Sequence, residues 1–231
     1  MSKIRFVSLF VLLTLLLSAL PGVVVAQGPL PPGDRVVPQV LFRSEQGALY
    51  AFGGRVEDKE AAVRALESYI AADVAKSAPR VSTLGYSYSL SKYYQVAYGD
   101  SHVYAEYNSD LDMDLPAGLA TRVKVSSGTS RTAWLGSSPQ FKSTEVKLED
   151  EWTWHAIGGV SISTGGGGIS VSGHSAYWSG GARNTWYLNH RYGGMTGKGA
   201  LIKFSESSTG SHYFESTYMW VSATAYNDMW V

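Results

Sequence analysis

Four oxygen-bearing side chains recur at every second position in one short segment of the chain. They are Asn108, Asp110, Asp112 and Asp114. Hard carboxylate and amide oxygens suit Ca²⁺, but the EF-hand calcium motif would need glycine in place of Leu115 and glutamate in place of Thr121. Because alternate residues of a strand share a face, the spacing instead predicts a strand with one oxygen-rich face. Two interpretations stay open: a solvated acidic face, and a calcium site formed by Asp110, Asp112 and Asp114.

Aromatic residues are the second feature with chemical potential, since the chain has 7 tryptophans and 15 tyrosines. Trp152, Trp154 and Trp178 lie at the two ends of one strand-like stretch. If they gather at one end of a hairpin, they predict a flat aromatic platform of the kind that binds a sugar or a partner surface. The other interpretation is burial in the core, because large aromatic side chains gain most free energy there.

Catalytic motifs are incomplete in this sequence. The segment from Gly173 to Tyr177 begins like the nucleophile elbow of serine hydrolases but lacks its closing glycine and its strand-turn-helix context. The 5 histidines are scattered, without the short spacings of metal ligands. With 0 cysteines, thiol nucleophiles, thiolate metal sites and disulfides are excluded. We therefore expect no catalytic residues, no enzyme activity, and no cofactor other than the calcium considered above.

The elements that would position these residues are mostly strands. Between Trp152 and Trp178 polarity alternates with a period of two on either side of the tract Gly165 to Gly168, which predicts a hairpin with a flexible tip. Pairing Ile162 with Ile169 and Val160 with Val171 keeps the apolar groups on one face. In composition this hairpin resembles the Ser/Thr/Gly-rich amphipathic stems that several secreted pore-forming toxins release to build a membrane barrel. That resemblance covers this stretch alone and implies membrane insertion; the alternative is a static, half-solvated hairpin.

Further alternating segments from Val81 onward, separated by turn residues, predict antiparallel strands. One helix is expected at about 57–77, since its first turn is acidic and Val63, Leu66, Ile70 and Val74 form one apolar stripe. The expected fold is mainly β: an antiparallel β-sandwich, or a barrel-like double sheet, with one N-terminal amphipathic α-helix.

The N-terminus resembles an export signal. Lys3 and Arg5 precede an apolar run, and small residues stand at the −3 and −1 positions before Gln27. We expect residues 1–26 to be a signal peptide, 27–38 a proline-rich linker, and 39–231 a single β-rich domain. Removing the leader takes away 2 basic residues and no acidic ones, so the mature chain is nearly neutral, which disfavours nucleic acid as a partner.

These observations predict a secreted or cell-surface, non-catalytic β-sandwich that binds an extracellular ligand, either carbohydrate or a protein surface. A membrane-inserting β-protein, either a hairpin-type pore former or an outer-membrane barrel, is the alternative. An extracellular hydrolase is the second alternative.

Overall fold

The computed structural model describes residues 36–75, 86–114, 120–136 and 143–231, and the backbone of Val25–Ala26. These residues form a mainly β fold with one helix, and the strands belong to one curled, largely antiparallel sheet that has the shape of a half-barrel. The strands are β1 (Val25–Ala26), β2 (Gln39–Arg43), β3 (Ala48–Phe52), β4 (Tyr86–Tyr98), β5 (Ser101–Asp114), β6 (Ala120–Leu135), β7 (Ser143–Ala156), β8 (Ser161–Ser163), β9 (Ser170–Ser172), β10 (Ser175–Arg183), β11 (Tyr187–Tyr192), β12 (Met195–Phe214) and β13 (Met219–Trp230).

Alternation of polarity determines which face of each strand is buried. In β7, Val146, Leu148, Asp150, Trp152 and Trp154 are buried, whereas the residues that alternate with them point outward. Strand β5 has the same pattern, with Val103, Tyr107 and Leu111 in the core. A period of two places such residues on one face of a pleated strand, so the alternation in the sequence correctly indicates strands here.

The two longest strands bend the sheet because each changes its partner along its length. The first part of β12 pairs with β6, and the part from Leu201 to Phe214 pairs with β7. Likewise, β6 pairs first with β12 and then with β11, while its other edge follows β5. The ring of Phe214 contacts Trp134 of β6 and Tyr98 of β4, with centroids 5.5 and 5.0 Å apart, so opposite parts of the curled sheet share a core. A mainly antiparallel β fold is confirmed; a sandwich of two separate sheets is not established.

The helix of the described residues, α1 (Lys59–Ala75), lies within the expected range 57–77. Asp58 caps its N-terminus, since its Oδ1 accepts the backbone N–H of Ala61 at 2.8 Å. The helix buries Leu66 and Ile70, and the Tyr50 hydroxyl of β3 donates to Asp73 at 2.9 Å. These contacts fix α1 against the outer side of the sheet.

The predicted pairing of Ile162 with Ile169 is wrong. Strand β8 continues the line of β7 along β12, where Ile162 lies opposite Gly197, and Val171 of β9 lies opposite Ala176. Strands β7 and β10 do pair, but Tyr177 is opposite Glu151. Alternation specifies which side chains share a face but not the partner strand, and positive φ angles at Gly158 and Gly173 end the ladders that a continuous hairpin would need.

The predicted N-terminal processing is not tested by the fold. Of residues 1–38, the structure describes residues 36–38 and the backbone of β1, which pairs in parallel with Gly181 and Ala182 of β10. The remainder of the predicted leader and linker lies outside the described residues.

Candidate ligand-binding cleft on the outer face of the sheet

Four neighbouring strands, β10, β7, β12 and β13, present a polar outer face. The alternation that buries Leu148 and Trp152 of β7 directs Glu149 and Glu151 to the opposite side. The register places Ser179 and Thr209 on either side of Glu149, and Tyr177 and Ser207 on either side of Glu151. Two adjacent rungs of the ladder therefore carry two carboxylates, a phenol ring and several hydroxyls on one face.

A cleft of about 380 Å³ opens over these two rungs. Its wall is formed by Gly168 and Ser170, which come from the glycine tract and from β9. Gly166, Gly167 and Gly168 have φ angles of 104°, 80° and 77°, a region that side chains rarely adopt, so the tract needs glycine to place this wall. The residues that line the cleft are Glu149, Asp150, Glu151, Gly168, Ser170, Tyr177, Trp178, Ser179, Ser207 and Thr209.

The chemistry of this cleft is that of hydrogen bonding beside an aromatic ring. The side chain of Tyr177 is 39% exposed, and Glu149 is exposed next to it. Thr153 Oγ1 donates to Glu151 Oε1 at 3.3 Å. Ionised carboxylates accept hydrogen bonds only, whereas hydroxyls both donate and accept, so the cleft suits a ligand that is rich in hydroxyl groups.

A rigid buried network lies under the cleft. The indole of Trp178 stacks on the imidazole of His190, and His190 Nδ1 donates to Asp150 Oδ2 at 2.7 Å. Ser130 Oγ donates to the same oxygen at 2.7 Å. Burial lowers the pKa of His190 and outweighs the opposing influence of Asp150, so the ring is neutral with its proton on Nδ1. The floor of the cleft is therefore held by a stack and hydrogen bonds among buried residues.

A second buried network surrounds Glu206 of β12. Its Oε1 accepts hydrogen bonds from Trp152 Nε1 at 3.0 Å, from Ser109 Oγ at 2.9 Å and from the Tyr192 hydroxyl. Burial raises the pKa of Glu206 to about 8, and the hydrogen bonds to Oε1 only partly oppose this effect. Glu206 is therefore mostly protonated near neutral pH, which makes a buried carboxyl compatible with the core.

The three predicted platform residues do not form one exposed surface. Trp152 and Trp154 are fully buried, and their indole N–H groups donate to Glu206 and to the Val123 carbonyl. Trp178 is 6% exposed and contributes only to the floor of the cleft. Sequence reasoning missed Glu149 and Glu151, although the alternation that assigns Trp152 to one face of β7 also assigns these two residues to the other.

The candidate calcium ligands lie together on the outer face of β5, but their oxygens are already engaged. Asp110 accepts hydrogen bonds from Ser89 and Ser127, and Arg122 pairs with Asp114 at 2.9 Å. Asp112 accepts hydrogen bonds from Ser87 and Ser126. Within the described ranges, no group of three or more histidine, cysteine, aspartate or glutamate residues has a geometry that could hold a metal ion. Calcium binding by Asp110, Asp112 and Asp114 stays a prediction.

No protein-family model matches the sequence, and no curated protein matches it. Among the helices that the structure describes, none is long and apolar enough to cross a membrane.

Proposed function

We propose that this chain is a secreted, non-catalytic protein that binds a carbohydrate outside the cell through the cleft over Glu149, Glu151 and Tyr177. In this proposal the curled sheet acts as a static β-sandwich scaffold. One observation carries the proposal: an exposed phenol ring lies on adjacent rungs with two carboxylates and several hydroxyls.

The arrangement suits a sugar for two physical reasons. The C–H face of a pyranose can pack on the ring of Tyr177, and its hydroxyls can donate to the acceptor-only carboxylates. The network of Trp178, His190 and Asp150 holds the floor in place, which lowers the conformational entropy lost on binding. The negative charges of Glu149 and Glu151 disfavour anionic polysaccharides, so neutral glycans are the preferred class.

Binding is tested by calorimetric titration with cello-, xylo-, malto- and chito-oligosaccharides, and by co-sedimentation with insoluble cellulose and chitin. Tyr177→Ala and Glu149→Gln should each weaken binding about tenfold or more. Tyr86→Ala is the matched control, because Tyr86 is a 61% exposed strand tyrosine outside the cleft. Binding to none of these glycans, or equal losses in Tyr177→Ala and Tyr86→Ala, would contradict the proposal. Release of new reducing ends would favour the hydrolase alternative.

Membrane insertion is the second candidate, and exposed apolar side chains favour it. Ile157 is 68% exposed and Val171 is 46% exposed. Both lie in the segment between β7 and β10, whose strands β8 and β9 have 3 residues each. Tyr226 and Trp230 of β13 are also exposed. Dye release from liposomes tests this candidate. Release by the wild type that Ile157→Ser abolishes would place membrane insertion ahead of carbohydrate binding.

A further inference from the structure

A second and larger cleft lies at the start of α1, and it shares no lining residue with the cleft over Tyr177. Its volume is about 1040 Å³. Trp134 of β6 and Trp186, which precedes β11, form its aromatic wall. Trp186 is held in place, since its Nε1 donates to the Gly54 carbonyl at 2.9 Å and Phe52 packs edge-on against its ring.

The protein places one of its own cations on this aromatic wall. Lys59 Nζ lies 3.3 Å from the ring centroid of Trp134 and 5.1 Å from that of Trp186. The negative faces of two indoles attract a cation in this position. The nitrogen of Lys59 therefore lies within cation–π distance of both indole rings.

Charges around the cleft also favour a cationic occupant. Three carboxylates line it, against the two basic side chains Arg55 and Lys59. The carboxylates belong to Glu57, Glu60 and Asp100. A ligand cation that replaced the Lys59 ammonium would therefore keep both the attraction of the indoles and that of the carboxylates.

We propose that this cleft binds a quaternary ammonium group, and that Lys59 occupies the site in the absence of ligand and leaves when the ligand enters. A primary ammonium is compact and strongly hydrated, so a half-buried lysine loses much of its hydration on the aromatic wall. A quaternary ammonium is weakly hydrated and loses less, which is why aromatic cages select it. Lys59 has a four-carbon flexible stem at the first residue of α1, so its head can swing out without moving the backbone.

The protonation of Lys59 should control access to the site. Burial lowers the pKa of Lys59 to about 7, and Glu60 only partly opposes this effect. Once displaced into solvent, Lys59 regains its ordinary pKa of 10.5, so ligand binding takes up a proton above about pH 7 and the affinity should fall as the pH rises. The other titratable or charged groups near Lys59 are Arg55, Glu57, Glu60, Asp100 and His102, which line the cleft, and His212 of β12, which interacts with it electrostatically.

The test is calorimetric titration of the exported chain with choline and with 3,3-dimethyl-1-butanol, the uncharged isostere of choline. Wild-type affinity for choline should fall about tenfold between about pH 6 and about pH 8, and the isostere should bind far more weakly. Lys59→Met has no ammonium to displace, so it should bind choline without this pH dependence. Trp134→Phe should weaken binding several-fold while keeping a ring in the core.

Controls separate the contributions. Lys198→Met, which removes an exposed lysine elsewhere, should behave as wild type. Equal binding of choline and its isostere would overturn the recognition of a cation. A pH dependence that persists in Lys59→Met would assign the titration to another group and would overturn displacement. If the protein binds choline but does not co-sediment with phosphatidylcholine vesicles, the ligand is a soluble molecule. If it co-sediments with the vesicles and Trp134→Phe weakens this, the ligand is a lipid headgroup.

Discussion

The indole of Trp178 and the imidazole of His190 lie face to face, with ring centroids 3.4 Å apart and planes inclined by 10°. His190 also bonds to Asp150, so this stack connects the floor of the outer cleft to a carboxylate that is 3% exposed. A change at His190 should therefore affect both the stability of the core and the geometry of a cleft that His190 does not line.

His190→Ala should destabilise the protein by roughly 3–5 kcal/mol, because it removes the ring packed on Trp178 and leaves the buried Asp150 carboxylate with the hydrogen bond from Ser130. His190→Asn should cost less, since the Asn amide can donate to Asp150 from a position similar to Nδ1. Urea unfolding of the two variants checks the order. Equal losses would show that the ring stack, and not the hydrogen bond, stabilises this part of the core.

Glu206 should make the protein less stable as the pH rises. Its pKa is about 8 in the folded protein against 4.5 for an ordinary glutamate, so between these values the native state keeps a proton that the unfolded chain releases. This contribution is fully present below about pH 4.5 and is lost by about pH 8, at about 1.4 kcal/mol per pH unit. The side chain in Glu206→Gln cannot titrate. The free energy of unfolding of this variant, relative to that of wild type, should therefore increase as the pH rises from about 4.5 to about 8. Glu149→Gln is the exposed control and should run parallel to wild type.

His212 should act in the opposite direction. It is fully buried between Thr132 and Ser143, and burial lowers its pKa from 6.5 to about 3. Below about pH 6.5 His212 is protonated in the unfolded chain but stays neutral in the native state. The free energy of unfolding therefore falls as the pH falls, by about 1.4 kcal/mol per pH unit. His212→Gln should lose this sensitivity to acid. Thermal unfolding of both proteins between about pH 4 and about pH 7 measures the difference.

The alternation of polarity predicts much of the fold but little of the sites. It identifies β5 and β7 as strands and separates their buried residues from their exposed ones, because that property belongs to a single strand. It does not identify the partner strand, which is why Ile162 was expected opposite Ile169 and lies opposite Gly197. Partner choice depends on contacts among residues that are distant in the chain.

The second cleft shows the same limit. Lys59, Trp134 and Trp186 come from α1, β6 and the segment before β11, and no spacing in the sequence connects them. Trp152 and Trp154, which the sequence pattern grouped with Trp178, are fully buried, and Trp178 forms part of the floor of the first cleft. Large aromatic side chains gain most free energy in the core.

Export should remove residues 1–26 and leave a chain that begins at Gln27, because the apolar run is too short to anchor the chain and small residues precede the cleavage point. Intact-mass measurement of protein from the culture medium checks this. Since Val25 and Ala26 pair with Gly181 and Ala182, cleavage would also free that edge of β10. Slower amide exchange at these two positions in the unprocessed chain would confirm the pairing, and recovery of only the unprocessed mass would contradict the signal peptide.

The pairing of β7 with β10 is tested by two engineered cysteine pairs. Thr153 and Ser175 are direct partners whose hydroxyl oxygens are 2.7 Å apart, so cysteines at both positions should form a disulfide on air oxidation. Ser161 and Ser170 would face each other only if Ile162 paired with Ile169; in the structure they pair instead with Lys198 and Tyr177. The variant Thr153→Cys/Ser175→Cys should therefore lose two hydrogen atoms by intact mass, and Ser161→Cys/Ser170→Cys should keep its free thiols. A disulfide in the second variant and none in the first would support the pairing of Ile162 with Ile169 and a continuous hairpin between Trp152 and Trp178.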